Sequence, residues 1–197
     1  AHYEVAEQFL NECRQVREQL NDTVGVAATI YQQSFVLYRR SQYVEAKRLC
    51  RQALDIQETA GDLTGLLPTL RLLADIDLEE DNLDSAYMHC KRAQEFCEKV
   101  HNRGELAATY YSLTVVTRLR NEFELAQSYA EEALSLLRLM GDRKFQAITL
   151  YELSRIYAAT AKHALALETG ENSLTLLRDL KDNFNVVYIL RHLGTLA

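Results

Sequence analysis

Apolar residues recur along this chain at steps of three and four, the spacing that lines up one face of an α-helix. Between about 104 and 120 the stripe is Leu106, Ala107, Tyr110, Leu113 and Val116. Between about 123 and 140 it is Phe123, Ala126, Tyr129, Ala130, Ala133, Leu134 and Leu137. Short polar turns separate such stripes, either of the kind Arg120-Asn121-Glu122 or of the kind Gly61-Asp62 and Gly141-Asp142. The pattern predicts paired amphipathic helices, here called A and B. Helix A is expected at about 24–40, 64–80, 104–120, 144–160 and 184–197. Helix B is expected at about 3–20, 43–60, 83–100, 123–140 and 163–180.

The stripes repeat without slippage. Ala6, Ala46, Ala86, Ala126 and Ala166 form a ladder with a step of 40 residues. A polar ladder keeps the step at Asp22, Asp62, Asn102, Asp142 and Asp182, and an apolar one at Val16, Ile56, Phe96, Leu136 and Leu176. A fixed period in this range marks a stacked-repeat protein. The expected organisation is one repeat domain over 1–197, with a half-repeat 1–22, repeats 23–62, 63–102, 103–142 and 143–182, and a half-repeat 183–197.

Each ladder has a physical reason. Alanine lets two antiparallel helices approach closely. Tyr43, Leu83 and Phe123 plug the turn end of their hairpins, and His163 takes that place in the last one. Gly61 and Gly141 can end helix B in a left-handed conformation, and the following Asp or Asn can cap the next helix. The chain opens on a B helix without its A and closes on an A helix without its B. Each end is expected to bare an apolar face. The chain then reads as an excerpt from a longer protein, or as one whose ends pack on something. It opens at Ala1 rather than Met, which leaves room for an upstream segment.

Composition agrees with helix, with one proline and seven glycines in 197 residues. The formal charge of −6, from 22 Lys+Arg against 28 Asp+Glu, weighs against nucleic acid as a partner. No stretch is apolar enough for a membrane span, and none reads as a signal peptide. The four cysteines (Cys13, Cys50, Cys90, Cys97) sit where small apolar side chains pack, and no Cys/His spacing suggests a metal. A reducing, cytoplasmic setting is expected.

The arrangement resembles the tetratricopeptide repeat (TPR) family. The carrying residues are Tyr110–Leu113–Thr114, Phe123–Ala126 and Ala133 in the third repeat. The fourth has Leu150–Leu153–Ser154, Tyr157 and Ala166, and the last helix has Leu190–Leu193–Gly194. The long period is similar to the extended TPR arms of bacterial signal-transduction ATPases and maltose-activator-like regulators. Gln33, Asp77 and Asp81 depart from the family pattern, so the 63–102 repeat is expected to be irregular or specialised. The resemblance implies an all-α, TPR-like α-solenoid of antiparallel helix hairpins forming a right-handed superhelix. It also implies a concave groove, lined by A helices, that binds peptides or proteins.

Projected onto that groove, the pattern offers Tyr31, Phe35, Tyr38 and Arg39, then Arg71, Asp75, Leu78 and Glu79, then Tyr111, Val115 and Arg118. Tyr151, Arg155, Tyr188 and Arg191 follow. Arg forks suit carboxylate or phosphate, and Tyr supplies rigid contact area. The plain alternative is Tyr packed between repeats and Arg stems lying over apolar surface. Asp75 and Glu79 can equally pair with Arg71 along their own helix.

The five histidines are scattered, and no phosphate loop or nucleophile–base pairing is present, so no catalytic residue, cofactor or metal is expected. The expected function is a non-catalytic scaffold for a protein or peptide, acidic or phosphorylated. The alternatives are a ligand-sensing or self-associating arm of a larger signalling ATPase or transcription regulator, and self-association through bare end helices.

Overall fold

The computed structural model describes residues 2–196. Ten helices follow one another: α1 (His2–Gln19), α2 (Thr23–Arg39), α3 (Tyr43–Ala60), α4 (Leu63–Glu79), α5 (Leu83–Lys99), α6 (Arg103–Leu119), α7 (Phe123–Met140), α8 (Arg143–Ala159), α9 (His163–Asp179) and α10 (Asn183–Leu196). No strand occurs among the described residues. Even-numbered helices are of the A kind and odd-numbered ones of the B kind. Their ends fall within a residue or so of the positions the apolar stripes predict.

Every A helix starts on the polar ladder. The carboxylate or amide oxygen of Asp22, Asp62, Asn102, Asp142 and Asp182 accepts a hydrogen bond from the backbone N–H three residues on, at 2.9–3.2 Å. Each cap satisfies one of the otherwise orphaned N–H groups of a first turn. Gly61 and Gly141 close their B helices at φ +68° and +69°. The same left-handed turn recurs every 20 residues with other side chains: Asn21, Ser41, Asp81, His101, Asn121, Ala161 and Lys181 all have φ between +53° and +61°. Turns between A and B helices and between B and A helices thus share one geometry. Asp81 stands at one of them.

The chain divides into two compact units, residues 1–101 with α1–α5 and residues 102–197 with α6–α10. In unit 1 the tight hairpins are α2 on α3 and α4 on α5, with α1 packed on α2 and α3 on α4. In unit 2 they are α6 on α7 and α8 on α9, with α7 packed on α8 and α10 on α9. Ala46, Ala86, Ala126 and Ala166 have no accessible surface. At two of them a serine of the facing A helix reaches the backbone across the hairpin. Ser34 Oγ donates to the Ala46 carbonyl at 2.8 Å, and Ser154 Oγ to the Ala166 carbonyl at 2.6 Å. A larger residue would force the helices apart, at about 1–3 kcal/mol. His163 is exposed where Tyr43, Leu83 and Phe123 are half-buried, so its hairpin lacks their plug.

The cysteines are free thiols. Burial pushes the thiols of Cys50 and Cys90 up to about 12, so neither becomes a thiolate at neutral pH.

Candidate functional site

In unit 1 the side chains that the pattern offers on α2 and α4 are largely aromatic and acidic. The Tyr38 ring lies 6.4 Å from Phe35 and 5.9 Å from Tyr43, centroid to centroid. Burial, helped by the nearby carboxylates of Asp75 and Glu79, pushes the Tyr38 phenol up to about 12. Burial also pushes Asp75 up to about 6, against the pull of Arg71, while Glu79 adds to the rise. Tyr43 Oη donates to Glu79 at 3.2 Å. Arg71 and Asp75 thus sit together on one face of α4, and Arg39 is exposed at the end of α2.

The departures in this unit have partners. Asp77 is fully buried beneath Lys47 Nζ at 2.5 Å, accepts from Ser85 Oγ at 2.6 Å and faces His89 Nε2 at 3.4 Å. Lys47 also reaches Glu80 at 2.5 Å. Gln33 donates to Asn11 at 2.7 Å. The sequence pattern marks Gln33 and Asp77 but not these partners, of which Asn11 and Lys47 lie 22 and 30 residues away.

Unit 2 gathers its groove candidates differently. Arg118 Nε and Arg155 Nη1 share one carboxylate, Glu152, at 2.8 and 3.0 Å. Glu152 has 7% of its side chain exposed and Arg118 has 12%, so this arm holds α6 to α8 rather than facing solvent. Arg155 is 36% exposed, and its guanidinium lies 5.6 Å from the Tyr151 ring centroid. Next to it is a cavity of about 440 Å3 lined by Tyr151, Arg155, Tyr188, Arg191, His192 and Thr195. Four of the residues offered by the repeat pattern meet here, on α8 and α10. Tyr111 instead turns its ring edge-on to Phe145, at 6.2 Å.

His192 completes the site and was not singled out by the sequence. Its ring stands edge-on to Tyr151 at 5.5 Å, and its Nε2 lies 3.0 Å from Ser154 Oγ. The Ser154 hydroxyl hydrogen is committed to the Ala166 carbonyl, so Nε2 carries the proton and donates. Burial first, then Arg155, holds the imidazole below its usual value. The ring is therefore neutral at pH 7, and Nδ1 remains an acceptor. Two arginines against one shared glutamate, with Arg191 exposed beside them, leave this pocket net positive inside an acidic chain.

Residues 65–139 match the sequence profile of the tetratricopeptide repeat. The repeat of this chain is tetratricopeptide-like. No curated protein matches the chain by sequence. Solved structures agree on the TPR-like fold. BtubC from P. vanneervenii is 17% identical with a TM-score of 0.83, over 98% of this chain and 81% of that one. The Rap conjugation gene regulator of the plasmid pLS20, in complex with the Phr* peptide, is 17% identical with a TM-score of 0.70, over 92% and 56%. A Signal Transduction ATPase with Numerous Domains with a tetratricopeptide repeat sensor, from Pyrococcus horikoshii, is 17% identical with a TM-score of 0.72, over 98% and 33%. At such identities the likeness is one of fold, and this TPR-like segment spans only part of the last two proteins. No helix among the described residues is long and apolar enough to cross a membrane.

Proposed function

We propose that the chain is a non-catalytic TPR scaffold that binds a peptide or protein segment on its A helices, and that its anchor is the α8–α10 pocket. The observation that carries this reading is the meeting of Arg155, Arg191, Tyr151 and Tyr188 around one net-positive cavity. Arginine forks pair with carboxylates or phosphates, and tyrosine rings flank an extended backbone at low entropic cost. The segment is acidic or phosphorylated. Arg39 and Arg71 with Tyr31 and Tyr38 form a further contact face in unit 1, where Asp75 tempers the positive charge. Arg118 acts by positioning, since Glu152 engages it.

Calorimetric titration tests this reading with three peptides of one length, rich in Glu, in phosphoserine or in Gln. The acidic or phosphorylated peptide binds wild type. Arg155→Gln with Arg191→Gln weakens it by about 1–3 kcal/mol per lost charge contact. Equal binding of the Gln peptide would remove the arginine pocket from the account.

A second reading is that the chain is a sensing arm of a larger regulator. The likeness in fold to the P. horikoshii TPR sensor supports it. In this version the same pocket receives the signal. Apolar residues exposed on α1 (Phe9, Val16) and α10 (Phe184, Val187) supply faces for self-association. A sedimentation series with and without the acidic peptide tests the link between binding and assembly.

A further inference from the structure

Unit 1 holds a second cavity, separate from the arginine pocket. It measures about 400 Å3, and its lining includes Cys13 and Arg17 of α1, Thr29 and Tyr31 of α2, Gln57 of α3 and Gly65 of α4. Arg17 is occupied, donating to the Gly25 carbonyl at 2.5 Å and to Thr29 Oγ1 at 2.9 Å. Gln57 is different. Its side chain is 1% exposed, and its Oε1 is buried without a hydrogen-bond partner. A buried acceptor left unmet is costly, so such an atom inside a cavity points to a donor that arrives from elsewhere.

The repeat supplies an internal control. Adding 80 to each number carries Tyr31, Gln57 and Gly65 onto Tyr111, Leu137 and Phe145 of unit 2. There the Phe145 ring stands edge-on to Tyr111 at 6.2 Å and 88°. Leu137 is buried, 2% exposed, and asks for no partner. In unit 1 the ring is missing because position 65 is glycine, and the leucine has become an amide. A Cβ added to Gly65 would lie 2.1 Å from Asp62 Oδ2, so the cap carboxylate leans over the glycine, and 3.0 Å from Gln57 Nε2, which places the Gln57 amide beside the glycine. The cavity is therefore lined at a position where unit 2 carries an aromatic side chain, and by a residue with one unmet acceptor.

We infer that this cavity receives an aromatic side chain of a partner polypeptide bearing an N–H donor, an indole. The ring seats edge-on to Tyr31, as Phe145 does to Tyr111, and its N–H donates to Gln57 Oε1. Indole suits both demands, since it offers a large apolar face and a single donor that seeks a partner when buried. The source of the ring rests on the peptide-binding reading above, whereas the cavity and its acceptor stand in unit 1 alone.

The probe is the uncharged tripeptide acetyl-Gly-Trp-Gly-amide, beside the same tripeptide built with 1-methyltryptophan. Binding is followed by NMR at the Gly65 amide and the Gln57 side-chain amide. Wild type is expected to bind the Trp tripeptide about tenfold more tightly than its methylated twin, the difference expected from one buried hydrogen bond. Gln57→Leu should erase that preference and raise the melting temperature. Gln57→Leu combined with Gly65→Phe copies the pair that unit 2 folds with and should abolish binding. The phenylalanine requires the Asp62 carboxylate to shift off the Cβ position, and the cap can persist, because Asp142 accepts from the Phe145 N–H at 3.0 Å with that side chain in place. Equal affinity for the two tripeptides, undisturbed binding to the double variant, or no binding to wild type would each overturn the inference. The tripeptide carries no charge, so its result is independent of Arg155 and Arg191. Failure of the acidic-peptide reading therefore leaves this test readable, and the reverse also holds.

Discussion

At position 77, unit 1 buries a carboxylate beneath Lys47, Ser85 and His89, whereas the equivalent positions of unit 2 hold Thr117 and Tyr157. Thr117 needs no neighbour, since its hydroxyl donates to the Leu113 carbonyl at 2.6 Å in its own helix. At position 57, unit 1 has an amide where unit 2 has Leu137 and Leu177. Conversely, unit 2 concentrates Arg118, Arg155 and Arg191, while unit 1 sets Asp75 and Glu79 beside Arg71. The backbone plan is shared, down to the caps and the left-handed turns. Chemistry is therefore assigned at a few ladder positions, and the helices elsewhere can stay alike.

The sharpest way to break this comparison is at Lys47. Lys47→Met would strand the buried Asp77 carboxylate and should cost about 3–5 kcal/mol in a denaturant titration. The exposed pair Arg143–Asp179 in unit 2, with side chains 49% and 54% accessible, is its control. Arg143→Met should change stability by less than about 1 kcal/mol. Similar losses in both would mean that the two units do not differ in how they hold charge.

Within unit 2, Arg118 and Arg191 should separate stability from recognition. Arg118→Met removes a largely buried partner of Glu152, but Arg155 remains, so the loss should be about 1–3 kcal/mol by thermal unfolding. Arg191→Met should leave stability within about 0.5 kcal/mol and weaken the acidic peptide.

Asp75 offers a pH test in unit 1. Its folded-state value of about 6 lies above the ordinary carboxylate value of about 4, so the folded chain holds this proton to higher pH than the unfolded one. Stability is then lost as pH rises from about 4 through about 6, by at most about 3 kcal/mol. Asp75→Asn should therefore be more stable than wild type above pH ~6 and nearly level with it near pH ~4. His89 has the opposite sign. Burial holds it below its usual value, so its contribution is lost as pH falls below about 6.5. A stabilisation by Asp75→Asn that does not vary with pH would contradict the assigned cause.

The smallest effect concerns the shared turn. Ala161 adopts φ +57° and Gly61 +68°. Ala161→Gly should gain, and Gly61→Ala lose, about 1 kcal/mol each in calorimetric melting. Opposite signs at these sites would confirm one turn geometry in both units.

Local features were readable from the chain alone. Asp22 through Asp182 announce their caps because a cap depends on residues three apart. The alanine ladder announces close helix contacts because small size at a fixed step has few other uses. The left-handed turns were read at Gly61 and Gly141, whereas Ser41, Ala161 and Lys181 are held there by helix ends rather than by their own preference. A threonine ladder stands at Thr29, Thr69, Thr109 and Thr149. Each hydroxyl is turned inward onto the carbonyl four residues back, at 2.8–3.1 Å. Pairings between helices were not legible. Nothing in the pattern joins Lys47 to Asp77, Arg118 to Glu152, or His192 to Ser154, because those meetings depend on how the hairpins stack.

The α8–α10 pocket is the centre of the functional account, and residue-level NMR with the glutamate-rich peptide tests it most directly. Shifts are expected to concentrate at Tyr151, Arg155, Tyr188, Arg191 and His192 and to be lost together in the Arg155→Gln, Arg191→Gln variant. Shifts confined to the outer faces of the B helices, or shifts that survive in the variant, would contradict it.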